Sequence, residues 1–483
     1  MMASSSRNGL VATLALLATV ASAPALFAGP PATLAIVGGR VLTMAGHTYN
    51  PGRVLIEGGT ITAVGGEDLD VPPHSTLVDA KGAWVVPGLI DSGTSLGLME
   101  IELEPTARDL DEDQELLGPH LRVTDAINPQ SDVIPVSRLT GVTTVMVCPA
   151  SADLFSGQAA ILDLAGDSID EMTVRVPAML CLNLGSEPVA RGRARSKFAT
   201  RMGLVAQVRE QFVAAQQYLK KQERYRRSME VYREKLRKAA QATAAVTGPA
   251  TPAAAPAAAK PAPASAQAAP ASTPPAEAGE EPEEPARDLK LEALGLALEK
   301  KVPVLVRAQR EDDLRTAIRL ADEFKFRMVL RFGAEAWKVA DLLAKRGIPV
   351  IVGPIGQQPS NFESPGARYD NAALLRKAGV TIAIQTAETH NVRNLPFAAG
   401  MAAAHGLTPE EALEAITAGA ARVLGIAGRC GTLEKGKVAN IAIFEGEPDG
   451  DPLQPRTKLR QLFIRGKSVP LTSRQTELFE KYR

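Results

Sequence analysis

The chain has 483 residues, of which 45% are hydrophobic and 4% aromatic, and it carries 54 basic and 54 acidic side chains. This length allows more than one domain, and the hydrophobic share is typical of a globular protein. The zero formal net charge argues against a nucleic-acid partner attracted by the overall field of the protein. Three widely spaced cysteines, Cys148, Cys181 and Cys430, exclude a disulfide framework and a cysteine-rich metal site.

Residues 1–28 have the pattern of a signal peptide. Arg7 precedes the apolar stretch Leu10–Val20, and small residues follow as far as Ala28. We therefore expect an exported protein, periplasmic or secreted, with no integral membrane segment after cleavage. Without cleavage, the apolar segment Gly9–Ala28 is just long enough to anchor the protein in a membrane.

Residues 33–85 alternate apolar and polar positions in short runs separated by glycine pairs, which predicts antiparallel strands. Further strand candidates, Ala439–Phe444 and Leu462–Ile464, lie near the other end of the chain. We predict that residues 33–85 and 425–470 combine into one small composite β-sandwich.

Residues 86–424 alternate strand-like apolar runs with helical stretches such as Leu314–Phe324, Ala336–Lys345 and Pro409–Leu424. The predicted parallel strands are Val85–Ile90, Thr143–Val147, Ala178–Leu182, Val302–Val306, Met328–Leu330, Pro349–Val352 and Thr381–Ile384, with an eighth near Ala159–Leu164. Near-continuous apolar strands that alternate with helices are typical of a buried parallel sheet. The prediction is an α/β fold, a TIM-like (β/α)8 barrel.

An insertion interrupts the predicted barrel. Residues 204–240 have the pattern of a charged helix with a solvated face, and residues 241–287 are dominated by alanine and proline, which predicts a disordered linker. Without residues 204–287, the barrel region has the length of an ordinary TIM barrel, about 250 residues.

Several segments carry a resemblance to a known family. The segment Pro87–Asp91, with the sequence Pro-Gly-Leu-Ile-Asp, closely resembles the end of the first barrel strand in metal-dependent amidohydrolases. Ser156–Met172 resembles the family's Gly-Gln loop, and Asn394–Leu407 resembles the segment after strand eight. Glu411–Gly425, followed by the stretch 431–437, resembles its closing signature. The chain is similar to the imidazolonepropionase-like branch, which implies hydrolysis of a non-peptide C–N bond by metal-activated water.

The resemblance also implies a set of metal ligands at the strand ends. It calls for a His pair after strand one, Lys or Glu after strand four, His after strands five and six, and Asp after strand eight. The matching positions hold Gly93, Ser95, Cys181, Arg307, Phe332 and Ala387. No expected ligand is kept, and the permanent cation of Arg307 would repel a divalent ion. We therefore expect no metal, no cofactor and no catalytic set of the family's kind.

A first hypothesis follows, a metal-free pseudoenzyme that binds a small and possibly anionic ligand. The candidate ligand-binding residues are Arg307, Gln309, Arg331, Gln385, Glu388 and His390. Paired guanidinium groups bind carboxylate or phosphate bidentately. The competing interpretation is that the two arginines pair with local acids such as Glu388 or Glu335.

Two alternatives stay open. The chain is an active amidohydrolase at a relocated or non-standard site, with Glu388 and His390 holding zinc or another divalent metal and Asp91 and His120 as helpers. A nucleophilic Cys181 or a Ser95 triad finds no activating base in the sequence. In the other alternative, the chain is an envelope scaffold or interaction protein. Its basic helix and linker would then present the barrel to a partner. The sequence leaves a homo-oligomer open in each case.

Overall fold

The computed structural model describes residues 33–112, 114–246, 280–359, 361–446 and 451–483. The predicted signal peptide, residues 1–28, lies outside the described residues, and so does most of the predicted linker, residues 247–279.

The strands and helices are numbered in chain order. The strands are β1 (Leu34–Leu42), β2 (Thr48–Glu57), β3 (Thr60–Gly65), β4 (Thr76–Asp79), β5 (Ala83–Pro87), β6 (Leu89–Thr94), β7 (Val142–Val147), β8 (Phe155–Asp163), β9 (Thr173–Asn183), β10 (Val304–Ala308), β11 (Met328–Phe332), β12 (Val350–Val352), β13 (Ile382–Ile384), β14 (Ile441–Glu445), β15 (Leu459–Ile464) and β16 (Lys467–Val469). The helices are α1 (Val133–Arg138), α2 (Ile169–Met172), α3 (Ser186–Ala194), α4 (Arg201–Val246), α5 (Leu289–Leu298), α6 (Glu311–Phe324), α7 (Ala340–Arg346), α8 (Asn371–Lys377), α9 (Leu395–Ala404), α10 (Pro409–Ala415), α11 (Ala418–Val423) and α12 (Arg474–Tyr482).

One sheet is built from both ends of the chain, in the order β16-β15-β14-β5-β1-β2-β3, with β4 beside β1. The two ends meet where β14 pairs antiparallel with β5, so that Ile443 faces Val85. Both residues belong to an apolar cluster that also contains Ile36 and Phe463. This confirms the second β domain of the predicted fold class.

The other sheet contains β6 to β13 in sequence order. Its first and last strands approach each other beyond β13, where the N–H of Ala387 donates to the carbonyl of Gly93 at 2.9 Å. The sheet is therefore a nearly closed eight-stranded barrel, which confirms the predicted TIM-like fold.

One barrel strand runs in the unexpected direction. Strand β8 is antiparallel to both β7 and β9, although the sequence pattern was interpreted as parallel throughout. Only residues 148–154 separate β7 from β8, which is too short for the crossover that a parallel pair requires. The interpretation of the stretch near Ala159–Leu164 as a parallel strand was wrong for this reason.

The predicted strand Val85–Ile90 is in fact two strands in different sheets. Strand β5 ends at Pro87 and β6 begins at Leu89, with Gly88 between them. The N–H of Gly88 donates to the carbonyl of Asn440 at 2.8 Å, and a Cβ at this position would overlap the side chain of Thr143. Only glycine allows this close approach at the point where the chain passes from one sheet to the other.

Two predicted helices are also divided. The stretch Ala336–Lys345 begins with a 3-10 turn, Ala336–Val339, before α7, and Pro409–Leu424 is broken into α10 and α11. Pattern alone shows a continuous helical face and does not reveal such interruptions.

Asp163, at the end of β8, joins the two sheets. Its carboxylate is fully buried and accepts hydrogen bonds from Thr144, Asn440, Arg429 and Arg465, at 3.0, 3.1, 2.8 and 3.0 Å. Thr144 belongs to the barrel, Asn440 directly precedes β14, and Arg465 lies between β15 and β16. The buried charge of Asp163 therefore links the second sheet to the barrel.

Helix α4 packs on the barrel through the apolar residues of its first half. The ring of Phe212 stacks on Phe324 and Phe326, with centroids 5.0 and 5.3 Å apart, and meets Phe155 edge-on. The helix continues to Val246, beyond the predicted end at residue 240. Among the described residues, no helix, α4 included, is both long and apolar enough to cross a membrane.

Candidate ligand site at the barrel mouth

The barrel mouth is formed by the carboxyl ends of β6 to β13. Strand register places Asn183, Arg307 and Arg331 side by side on β9, β10 and β11. Cys181 is instead level with Leu305, one layer deeper in the barrel. The strand-four residue level with the two arginines is therefore Asn183, one residue beyond the predicted strand end at Leu182 and two beyond Cys181.

The guanidinium of Arg331 fills the centre of the mouth. Arg331 is 7% exposed, and its Nε donates to Oε1 of the fully buried Gln385 at 2.8 Å. The amide of Gln385 in turn donates to the carbonyl of Gly353 at 3.0 Å. A Cβ added at Gly93 would overlap Gln385 Oε1 and lie 3.1 Å from Arg331 Nε. The space that a ligand side chain at position 93 would enter is thus already occupied.

Asp91 lies beneath this pair and is fully buried. Its carboxylate accepts hydrogen bonds from the N–H of Gly93 at 3.1 Å and from the N–H and hydroxyl of Thr386 at 3.2 and 2.5 Å. Burial raises the pKa of Asp91 to about 6, although these hydrogen bonds and the charge of Arg331 act in the opposite direction. Asp91 is therefore a buried carboxyl that titrates near neutral pH.

Arg307 also lies at the mouth, with its side chain 13% exposed. Its Nη1 is 2.8 Å from a carboxylate oxygen of Glu187, which belongs to the first turn of α3 and is 55% exposed. Its buried Nε has no hydrogen-bond partner among the described residues. Burial lowers the pKa of Arg307, and the charge of Glu187 partly opposes that effect. This side chain is a buried cation that keeps an unused donor.

The local acids expected as arginine partners were the wrong ones. Glu335 pairs instead with Lys338 at 2.9 Å, and Glu388 is exposed. Arg307 forms an ion pair with Glu187, and Arg331 donates a hydrogen bond to the neutral amide of Gln385. Glu187 follows a glycine turn after β9, so its position in the sequence gave no signal that it faces β10.

The ring of Phe332 lies close to both guanidinium groups. Its ring centroid lies 5.4 Å from the guanidinium carbon of Arg307 and 4.8 Å from that of Arg331, within the range of cation–π attraction. Phe332 and Ala387, two of the positions where metal ligands were expected, both have positive φ, 72° and 56°. Such backbone costs roughly 1–3 kcal/mol per residue and is concentrated at functional sites.

The remaining candidate residues either form hydrogen bonds with backbone atoms or lie outside the barrel mouth. Gln309 Oε1 accepts from the N–H of Ala334 at 3.1 Å, and His390 Nε2 is 3.1 Å from the carbonyl of Glu100. Ser95 is half-buried and its N–H donates to the carbonyl of Glu388. His120 lines a separate cleft of about 710 Å³ that does not contain Glu388 or His390.

The thiol of Cys181 is likewise not poised for reaction. Its hydrogen bond with Cys148 and its burial raise its pKa well above the ordinary value. This residue therefore packs in the barrel interior as a neutral thiol.

The residues at the mouth do not fit a divalent metal ion. In the part of the chain that the structure describes, no three His, Cys, Asp or Glu side chains are grouped so as to hold a metal. Two guanidinium groups and an aromatic ring stand at the strand ends, and a fixed cation disfavours a second cation nearby. The donor chemistry of this mouth is suited to anions.

Comparison with known proteins agrees with the fold. The sequence profile of the Amidohydrolase family matches residues 338–469. The chain is 23% identical over 424 residues to "Amidohydrolase tasK" of Hapsidospora irregularis, covering 83% of this chain and 38% of that protein. It is 33% identical over 151 residues to an imidazolonepropionase of Maricaulis maris (strain MCS10), covering 29% of this chain and 36% of that one. The chain thus spans little more than a third of the length of these curated relatives.

Among solved structures, an amidohydrolase from Thermotoga maritima MSB8 superimposes with a TM-score of 0.74 at 26% identity, covering 90% of this chain and 99% of that one. A prolidase complexed with N-methylphosphonate-L-proline, at 15% identity and a TM-score of 0.51, shows the shared fold alone. These solved structures share the fold of this chain. The chain is therefore similar to members of the amidohydrolase family in sequence and in fold.

Proposed function

We propose that this chain is a metal-free member of the amidohydrolase family that binds a small anionic ligand at the barrel mouth and does not hydrolyse C–N bonds. The observation that carries the proposal is the buried guanidinium of Arg331, which lies with Gln385 in the space that a side chain at Gly93 would need. An arginine stays charged at any accessible pH, so it opposes a divalent ion at this place under all conditions.

Arg307 supports the choice of an anion as the ligand. Its carboxylate partner, Glu187, is more than half exposed and belongs to a short helix on the rim of the barrel. A small carboxylate or phosphate can take the place of Glu187 and also accept from the unused Nε. The strained backbone at Phe332 holds the aromatic ring against both arginines and helps to shape this site.

Metal content tests the first half of the proposal. The protein is purified without a His-tag from cells grown with added zinc, manganese and iron, and its metals are measured by elemental mass spectrometry. We expect far less than one ion per chain. One or two tightly held ions would overturn the proposal, and Glu388 and His390 would then be the first residues to mutate.

Thermal shift tests the second half. Melting temperatures are measured with increasing acetate, succinate or inorganic phosphate, because a ligand that binds only the folded state raises them with concentration. We expect a rise for wild type that Arg307→Gln abolishes. Arg315→Gln, which removes an exposed arginine on α6, is the matched control and should respond as wild type does. An unchanged response in Arg307→Gln would refute ligand binding at the mouth.

We propose export as the location of this activity, on the pattern of residues 1–28. Sequencing the amino terminus of the protein recovered from the expressing cells tests this. A mature chain that begins soon after Ala28 supports export, and an intact amino terminus on a cytoplasmic protein contradicts it.

A further inference from the structure

A second polar cavity lies at the opposite end of the barrel from Arg307 and Arg331. It has a volume of about 650 Å³ and is lined by the segments that precede β10, β11 and β12, by the first half of β9 and by the end of α11. The basic residues of its lining are Arg175, Lys300, Lys301, Lys325, Arg327, Arg346 and Arg422. The acidic residue of its lining is Asp322. We call it the basic cavity.

Three of these cations are paired with carboxylates. Lys301 lies 2.8 Å from Glu299, Arg346 pairs with Asp322, and Arg422 pairs with Glu414. The other four basic residues have no carboxylate partner among the described residues, so they leave an excess of positive charge in the cavity. The chain as a whole has zero formal net charge, which makes this excess a local feature.

Two of the unpaired cations have free side chains. Arg175, on β9, donates to the carbonyls of Leu424 and Gly425, just after α11, so its guanidinium already has hydrogen-bond partners. The ammonium groups of Lys300 and Lys325 make no hydrogen bond or ion pair within the residues that the structure describes. These two lysines, on neighbouring segments, are the donors that the fold leaves available.

The backbone at these two lysines argues against a purely structural role. Lys300, just after α5, and Lys325, just after α6, have φ of 59° and 60°, and the equivalent residue after α7 is Gly347 with φ of 61°. Glycine adopts this left-handed conformation freely at helix ends, whereas a side chain opposes it. Attraction to the negative end of a helix dipole favours a lysine in the last turn, but it does not require the strained position beyond it.

We propose that the basic cavity binds a compact polyanion, a small molecule that carries two or more phosphate groups. Several cations in one cavity are neutralised by a multivalent anion and not by a single monovalent one. Pro303, Phe326, Ile348 and Pro349 add apolar surface to the lining of the cavity. An organic group attached to the phosphates therefore has a surface to pack on.

Calorimetric titration of the full chain at low ionic strength tests the proposal with sodium tripolyphosphate, ATP and inorganic orthophosphate. We expect saturable binding of tripolyphosphate that persists in Arg307→Gln and is tighter than the orthophosphate binding left in that variant. Added salt should weaken it because exposed charges are screened. Tighter binding of ATP than of tripolyphosphate identifies a nucleotide-like ligand, and equal binding identifies the phosphate chain alone. Absence of tripolyphosphate binding overturns the proposal.

The double variant Lys300→Asn, Lys325→Asn locates the site. Asparagine tolerates left-handed backbone, so the helix ends keep their geometry while two charges are lost. We expect roughly tenfold weaker tripolyphosphate binding with an unchanged or higher melting temperature. The control Lys220→Gln, Lys221→Gln removes the same charge from the exposed face of α4 and should bind as wild type does.

Two results would refute the assignment to this cavity. One is undiminished binding in the Lys300, Lys325 variant, and the other is equal weakening in both double variants, which would indicate a response to overall charge. Arg307→Gln separates this proposal from the one for the barrel mouth, because it removes the anion site at the mouth and any tripolyphosphate binding that persists belongs to the basic cavity.

Discussion

The buried carboxyl of Asp91 makes the stability of this protein depend on pH in the opposite sense to an ordinary aspartate. Its pKa is about 6 in the folded chain, against 3.8 for an unperturbed group, because burial disfavours the charged form. The folded state thus binds the proton more tightly than the unfolded state. The stability that this adds is fully present below pH 3.8 and is lost as the pH rises to about 6. A difference of about two pKa units corresponds to about 3 kcal/mol.

The test compares wild type with Asp91→Asn, which keeps the shape of the side chain and has no proton to lose. The free energy of unfolding in urea is measured for both proteins from pH 4 to pH 8. The difference, variant minus wild type, should rise by about 2 kcal/mol between pH 4 and about pH 7 and then stay level, because the remainder of the total change lies below pH 4. Other titrating groups are common to both proteins and cancel, and Arg331 stays charged throughout, so it adds only a constant.

Thr386→Val extends the same test. The hydroxyl of Thr386 is the hydrogen bond that most lowers the pKa of Asp91, so its removal should raise that pKa further and carry the stability loss to higher pH. A difference between wild type and Asp91→Asn that is flat from pH 4 to pH 7 would refute the reasoning. It would mean that the folded chain holds Asp91 ionised like an exposed aspartate.

Three further changes have expected outcomes. Gly93→Ala should lower the free energy of unfolding by roughly 1–3 kcal/mol, because the added Cβ overlaps the amide of Gln385; an unchanged urea midpoint would show that this amide moves aside freely. Phe212→Ala should cost about 3–5 kcal/mol by emptying the aromatic contact between α4 and the barrel, and a melting temperature equal to wild type would contradict that packing. Asp163→Leu should cost about 3–5 kcal/mol because it leaves Arg429 and Arg465 without their buried partner; faster proteolysis of the segment that carries them would accompany it, and wild-type resistance would argue against this role.

The fold was predictable because its signals are local and repeated. Seven apolar runs alternate with helical patterns, and this alternation is enough to predict a barrel without knowledge of any contact. The errors occur where a decision depends on neighbours far away in the sequence. The run Val85–Ile90 is apolar throughout, and only the position of Asn440 and Thr143 shows that the chain changes sheets at Gly88.

The prediction that β8 is parallel to its neighbours was a different kind of error, because the sequence itself contained the signal that excludes it. The short connection after β7 excludes a parallel crossover, whatever the apolar pattern suggests. Loop length should therefore be weighed before strands are assigned to a parallel sheet.

At the mouth, strand ends located Arg307 and Arg331 on neighbouring strands, because consecutive parallel strands end at the same edge. The partners of these residues could not be read from the sequence. Asp91 and Thr386 are 295 positions apart, and Glu187 follows a turn whose direction has no sequence signal. An aspartate directly after the apolar pair at the start of β6 was nevertheless a sign of a buried charge that deserved more weight.

The loss of the expected metal ligands is a property of the whole mouth and not of one missing pair. Arg331 supplies a fixed positive charge beside Asp91, and the hydrogen bonds of Gln385 and Thr386 hold both in place. The interior therefore carries its own counter-charge and does not depend on an ion for balance. A histidine side chain at position 93 would overlap the Gln385 amide and contact the Arg331 guanidinium, so it would have no room to bind an ion. A metal site would require Arg331 and Arg307 to be removed at the same time as ligands were added, and this is the argument on which the proposal of an anionic ligand depends.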